Sequence, residues 1–419
     1  MEGLLKKAKP ESPKTEWETK TNYNAESCKI AIIMVGLPAR RKSFIARNLS
    51  RYLRWIGVKT AVVSLSALRK SIVGDQVMAE FFNPANKEAL SKRTDVADKA
   101  LNDLIKGFDS GGAQVGILDA SNTTEARREY IQMVLHELAI KVIFVECIFN
   151  DKKANDDFNE IHVAELRLTC PEYDGLSDEQ AVEDFKLRIQ YYRPDYVKMD
   201  AGQNQSLSYI QFMDGGSRIV VNQVTGFLPT KILFYLMNLK HANRNIYLTQ
   251  NTNLNEQLIE TICKGPIQFW SDIRSTDHFK GKPVRFRAAL RQLDLGLVES
   301  LSEDQIKEQF PEEYKRHCLD PYHHRYPRSE SYHDLVVRLE SIIMELERDP
   351  CNILVIADAS VIRCIYAYYI EATPFIIPSL ILDASELIQL QPEAYGCHET
   401  RYDADSGNNS YPKIFRKYQ

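Results

Sequence analysis

The most constraining stretch of this chain is an apolar run, KIAIIMV (29–35), that stops at a glycine and a proline in GLPARRKS (36–43). A short run of this kind entering a Gly/Pro turn suits a strand buried on both faces, which is the mark of a parallel sheet. VKTAVVSL (58–65), QVGILDAS (114–121) and KVIFVECIF (141–149) are further β-branched runs. Helical patterns lie between them, at 87–108 and 124–139. Strand alternating with helix predicts a doubly wound sheet whose ligands bind at the carboxyl ends of the strands. GLPARRKS sits at such an end.

The octapeptide is close to a phosphate-binding loop, in which Gly, four residues, Gly and Lys are followed by Ser or Thr. Gly36, Lys42 and Ser43 fit; the second glycine is Arg41. In a working loop the backbone N–H groups cradle phosphates, the lysine reaches the terminal ones and the hydroxyl holds Mg²⁺. Asp119, ending the strand in ILDAS, is placed to help hold that metal. Glycine before the lysine permits close approach or a left-handed backbone, whereas arginine adds bulk there. Two readings stand from spacing alone: a nucleotide loop, or a helix that opens at Lys42 with nothing bound.

A second α/β unit begins near residue 243. RNIYLTQ (244–250) and NILVIAD (352–358) read as strands, and 331–349 as an amphipathic helix with Leu335, Leu339, Ile342, Ile343 and Leu346 on one face. The expected organisation is a flexible tail over 1–27, domains over 28–242 and 243–402, and a loose Gly/Asn/Ser-rich tail over 403–419. With 419 residues the chain is long enough for two full cores. A net charge of −4 gives no electrostatic case for nucleic acid or an anionic membrane. Eight cysteines without CxxC pairs suggest reduced thiols in a cytoplasmic protein. No apolar run reaches the length of a membrane span.

The words GLPARRKSFIARNLSRYLRWIGVKT, FFNPANKEAL, LDASNTTEARR, VNQV and YLMNL resemble the kinase half of the bifunctional 6-phosphofructo-2-kinase/fructose-2,6-bisphosphatase family. FPEEY, RYPRSESYHDLVVRLE, IIMELER and EAYGC resemble its phosphatase half. The resemblance runs from about 29 to about 400. It implies a P-loop (adenylate-kinase-like) doubly wound domain followed by a shortened histidine-phosphatase-like α/β domain. It also implies transfer of a phosphoryl group from Mg·ATP to fructose 6-phosphate. Cofactor contacts fall to Gly36, Arg41, Lys42, Ser43 and Asn222, with Lys42 and Asp119 catalytic and Ser43 and Asp119 on the metal. Substrate contacts fall to Arg69, Arg93, Thr124, Arg128, Arg167, Tyr192 and Tyr196; Arg127 accompanies Arg128 in the TTEARR turn. Guanidinium groups suit a phosphorylated sugar because they pair bidentately with phosphate. A homodimer, or a heterodimer with an active relative, is implied by the same resemblance.

In the second half the resemblance exposes losses. Where the family carries a nucleophilic histidine, its second histidine and a glutamic acid, this chain has Asn251, Asp358 and Gln292. An amide has no basic nitrogen to take a phosphoryl group or proton to give, and a carboxylate repels the phosphate. Tyr322, Arg325 and Tyr326 keep a sugar-phosphate pattern, YxxRYP, but with the chemistry gone they are expected to pack the loop and cap the next helix. The expected function is therefore a kinase-like protein without bisphosphatase activity. The alternative is a pseudoenzyme serving as scaffold, structural component or regulatory partner, and Arg41 separates the two.

Overall fold

The computed structural model describes residues 29–74, 77–149, 177–200, 202, 206–240, 244–250, 261–262, 265–273, 284–393, 396–403 and, for the backbone, 409–417. The first sheet orders its strands β2-β3-β1-β4-β5-β6. These are β1 (Ile30–Val35), β2 (Thr60–Ser64), β3 (Val115–Asp119), β4 (Lys141–Ile148), β5 (Tyr209–Met213) and β6 (Arg218–Asn222). β1 to β5 run parallel, and β6 turns back antiparallel on β5. From β1 the chain first crosses to β2 and β3 on one side, then returns to β4 on the other. The gap above β1, between β3 and β4, is thus the switch point where such sheets bind ligands.

The connecting helices are α1 (Lys42–Trp55), α2 (Leu65–Val73), α3 (Lys87–Asp109), α4 (Glu125–Glu137), α5 (Asp178–Tyr192) and α6 (Phe227–Asn238). Each starts as its sequence dictates where a capping residue is present: Asn86, Thr124 and Ser177 accept the backbone N–H of residues three further on. The expected strands and helices appear within a few residues of their predicted limits.

The second sheet orders β13-β12-β11-β7-β10-β8-β9. Its parallel part is β7 (Ile246–Thr249), β10 (Asn352–Ile356), β8 (Ile267–Ser271) and β9 (Val284–Phe286); β11 (Glu386–Glu393), β12 (Gly396–Asp403) and β13 (Asn409–Lys417) extend it antiparallel. β13 corrects the expectation of a loose tail beyond residue 403. Its backbone pairs along β12 from Asn409 onward, inside the Gly/Asn/Ser stretch that suggested a tail. Helices α7 (Glu303–Gln309), α8 (Pro311–Leu319), α9 (Tyr332–Arg348) and α10 (Ala359–Tyr369) complete this unit.

The two units share a core. One hydrophobic cluster joins Ile45, Leu49 and Leu53 of α1 to Leu335, Ile342 and Leu346 of α9 and to Val361 and Ile365 of α10. α1 is therefore covered on both sides, by its own sheet and by the second domain. Cys147, Cys318, Cys351, Cys364 and Cys397 carry free thiols. No helix among the described residues is long and apolar enough to cross a membrane.

Candidate functional site

The loop at the end of β1 is shaped by three positive φ angles. At Gly36, φ is 130°, and a Cβ would lie 2.6 Å from the carbonyl oxygen of Cys147, so the close pass over β4 requires glycine. Ala39 and Arg41 are left-handed at φ 55° and 56°. Arg41 thus holds the backbone where glycine would hold it freely, at roughly 1 kcal/mol for an L-residue. Its guanidinium lies 5.5 Å from the centroid of Phe149, and it approaches Gly215 in the β5–β6 turn. The side chain leaves the loop sideways, towards the ends of β4 and β5.

Lys42 is 8 % exposed, and its ammonium donates to the Leu37 carbonyl at 2.6 Å, tying the two ends of the loop together. The Ser43 hydroxyl hydrogen-bonds the carboxylate of Asp119, on the strand next to β1. Burial pushes that carboxyl above its usual range, against the Ser43 bond and the charges of Lys42 and Arg47. The structure gathers Gly36, Arg41, Lys42, Ser43 and Asp119 at the carboxyl ends of β1 and β3.

Two residues beyond Asp119 begins the wall of a cavity of about 350 Å³. Arg69, Arg93, Arg127, Thr124, Tyr191 and Tyr192 are among its lining residues. Arg69 stands over the Phe82 ring at 5.1 Å. Arg93 donates to the Phe82 carbonyl at 3.1 Å, and Arg127 pairs with Asp98 at 2.6 Å. The buried Nε atoms of Arg93 and Arg127 have no hydrogen-bond partner among the described residues. Guanidinium groups lining a cavity suit an anion. Thr124 spends its hydroxyl on capping α4.

Three expected residues are elsewhere. Arg128 is 2 % exposed and donates to the carbonyls of Asn122 and Thr123, bracing the turn from behind. Its helix period places it with the buried Ile131 and Leu135, whereas Arg127 faces the cavity. That period is legible in the sequence and marks Arg127 as the pocket arginine. The Tyr196 hydroxyl donates to the buried Glu146 at 2.6 Å, and the residue borders a separate cavity with Leu37, Arg40 and Arg193. Asn222 pairs with Tyr209 and donates to Leu207, at the opposite end of the β5–β6 hairpin from the turn that meets Arg41. Arg167 lies outside the described residues.

In the second domain a cavity of about 700 Å³ is lined by Gln250, Gln292 and Asp358, with Asp272, Asp294, Glu299 and Arg291. Four carboxylates against one guanidinium disfavour a phosphoryl group. Asp358 accepts from the Ser360 N–H at 2.8 Å and starts α10, and Gln292 donates to Glu299 at 3.1 Å. Asn251 lies outside the described residues. Arg325 pairs with Asp334, whose carboxylate completes the capping box of α9, and Tyr322 is buried against His323, His333 and Phe375. Packing and capping are what these residues do.

Comparison with known proteins matches residues 17–243 to the family model of 6-phosphofructo-2-kinase and 273–405 to that of the histidine phosphatase superfamily, branch 1. The chain is 35% identical to the 6-phosphofructo-2-kinase/fructose-2,6-bisphosphatase of Gallus gallus, over 88% of this chain and 84% of that one. It is 35% identical to form 4 of that enzyme in Rattus norvegicus over the same shares, and 33% identical to the Caenorhabditis elegans enzyme over 90% of each.

Proposed function

Because the chain belongs to the 6-phosphofructo-2-kinase/fructose-2,6-bisphosphatase family, we propose that its first domain transfers the γ-phosphoryl group of Mg·ATP to the 2-hydroxyl of fructose 6-phosphate. We propose equally that its second domain no longer hydrolyses the product. The observation that carries the kinase reading is the Ser43–Asp119 contact beside Lys42, two residues along the chain from the arginine-lined cavity.

The residues fit a magnesium-bound triphosphate. The loop keeps the left-handed backbone at Arg41, Ser43 and Asp119 supply a hydroxyl and a carboxylate for the ion, and Lys42 is poised over the loop. When bound, Mg²⁺ neutralises charge on the phosphates. Lys42 then stabilises the transferring group, exchanging the Leu37 carbonyl for phosphate oxygen. Arg69, Arg93 and Arg127 hold the sugar phosphate, with Tyr192 against its ring. Transfer of this kind depends on positioning and charge neutralisation rather than on a covalent intermediate.

What supports loss of hydrolysis is the set Asn251, Gln292 and Asp358 and the acidic lining of the second cavity. No phosphate should be released from fructose 2,6-bisphosphate and no acid-labile phosphate should form on the protein; either event would sink this half of the reading.

The kinase test is formation of fructose 2,6-bisphosphate from Mg·ATP and fructose 6-phosphate by wild type, Lys42→Met and Arg41→Gly. Turnover in wild type that Lys42→Met lowers by ~100-fold or more carries the reading. A second reading, a pseudoenzyme, is favoured by Arg41 itself. Product from Arg41→Gly alone would establish it, with Arg41 as the disabling residue.

A further inference from the structure

An arginine within a phosphate loop has to put its side chain somewhere. The left-handed backbone at Arg41, φ 56°, sends it sideways, and Phe149, the residue after β4, receives it. The guanidinium carbon stands 5.5 Å from the ring centroid, within the range of a cation–π contact. The β5–β6 turn meets both partners. A Cβ at Gly215 would lie 3.7 Å from Nη1 of Arg41 and 4.0 Å from Cζ of Phe149. The turn is made for close approach: Asp214, Gly215 and Gly216 take φ 47°, 67° and 89° in succession.

Phe149 also borders the loop. With Leu37, Arg40, Cys147 and Ile148 it lines a cavity of about 170 Å³. The ring therefore faces the space beside Leu37 as well as the Arg41 guanidinium. Shortening this side chain would release the guanidinium and enlarge the room next to the loop. A guanidinium in the loop would stand where backbone N–H groups have to meet phosphate, which is the crowding that glycine avoids.

We propose that Phe149 is a positioning residue for the phosphate loop: its ring holds the Arg41 guanidinium against the β5–β6 turn, and the loop stays open to a triphosphate although arginine stands in it. The gain in nucleotide affinity rests on the kinase reading, whereas the clasp of Arg41 by Phe149 does not. Ordinary packing and this clasp differ in one respect. Loss of the ring harms the loop only while there is an arginine to release, so substitutions at the two positions are not additive.

The test is a double-mutant cycle on the full chain, read by Mg·ATP calorimetry. Its members are wild type, Phe149→Leu, Arg41→Gly and the two together, with Phe149→Met in place of Phe149→Leu if that variant fails to fold. Phe149→Leu should weaken binding about 3- to 30-fold in the wild-type background. Beside Arg41→Gly it should change binding by less than about twofold. Phe149→Tyr keeps the ring and should restore the affinity lost in Phe149→Leu. An equal loss in both backgrounds, or none in either, overturns the proposal. Binding by Arg41→Gly alone overturns it too, since the ring would then fail to keep the loop open. Hydrogen exchange of loop amides 39–43 is followed in the same proteins without nucleotide. Should none of them bind Mg·ATP, the kinase reading falls and exchange decides the clasp. A change on Phe149→Leu that vanishes beside Arg41→Gly upholds it; the same change in both backgrounds, or no change, sinks it.

Discussion

Arg41 shows how far a single residue constrains the reading of a site. The sequence marks it as the break in a phosphate loop; the backbone keeps the loop's shape regardless, at φ 56°. Relief of left-handed strain and the added freedom of an unfolded glycine oppose each other, each of order 1 kcal/mol. Arg41→Gly should therefore leave stability within ~1 kcal/mol of wild type in urea unfolding. A loss of twice that would mean that the packing on Phe149 is structural. Arg93 and Arg128 make a contrasting pair. On the proposed kinase reading Arg93 holds the sugar phosphate, and removing such a guanidinium costs about 1.5–3 kcal/mol, so Arg93→Ala should raise KM for fructose 6-phosphate roughly 10- to 100-fold with stability little changed. Arg128→Ala should instead lower the melting temperature, since it strips the brace from Asn122 and Thr123. Equal effects of the two on KM would refute the division. The loop, Lys42 and Asp119 were legible in the sequence because they lie at strand ends. Tyr196 and Asn222 were not, because a tyrosine or an amide beside a strand does not announce its direction; only the buried Glu146 and the hairpin register do.

At the scale of elements, the parallel strands and amphipathic helices read directly from apolar runs and their period. The antiparallel additions did not. β6 (RIVVN) and β13 (NSYPKIFRK) are edge strands that mix apolar with charged and polar residues, and nothing in such a run separates it from a loop until its neighbour is known. Around the α8–α9 connection gather four histidines, His317 of α8, His323 and His324 of the connection and His333 of α9, packed against Tyr322 and Tyr326. Burial lowers the pKa of His317 and His333, with neighbouring His324 and His323 adding to it. In the unfolded chain both titrate near 6.5, so the unfolded state gains protons that the native state refuses as pH falls below that value. Stability is then lost on the acid side, by no more than about 1.4 kcal/mol per pH unit for each histidine. His333→Phe should therefore give a flatter melting-temperature profile between pH 6.5 and 5 than wild type. Parallel profiles would show that the histidine titrates alike in both states.

For the whole molecule, the question is what the second domain does for the first. α1 supplies the physical answer, since it carries Lys42 and Ser43 at one end and is built into the second domain at the other. The Trp55 indole donates to the Cys364 carbonyl at 2.9 Å, Tyr52 donates to Glu340 at 2.6 Å, and Arg51 reaches Glu347. Breaking that last pair from one side, as in Glu347→Gln, should cost about 3–5 kcal/mol in urea unfolding, because a buried guanidinium loses its counter-charge. Removing the domain altogether does more. A fragment ending at residue 243 exposes Tyr52, Leu53 and Trp55, each worth roughly 1.5–3 kcal/mol of burial, against a total stability of about 5–15 kcal/mol. Such a fragment should aggregate, or melt at least 10 °C below the full chain, a shift of ~2.5–5 kcal/mol for a domain of this size. Fragment 244–419 supplied in trans should restore part of the loss, since the missing contacts are side-chain packing rather than chain connectivity. A fragment that melts with the full chain would mean that the shared core contributes nothing to the first domain. The second domain would then need some other reason to remain.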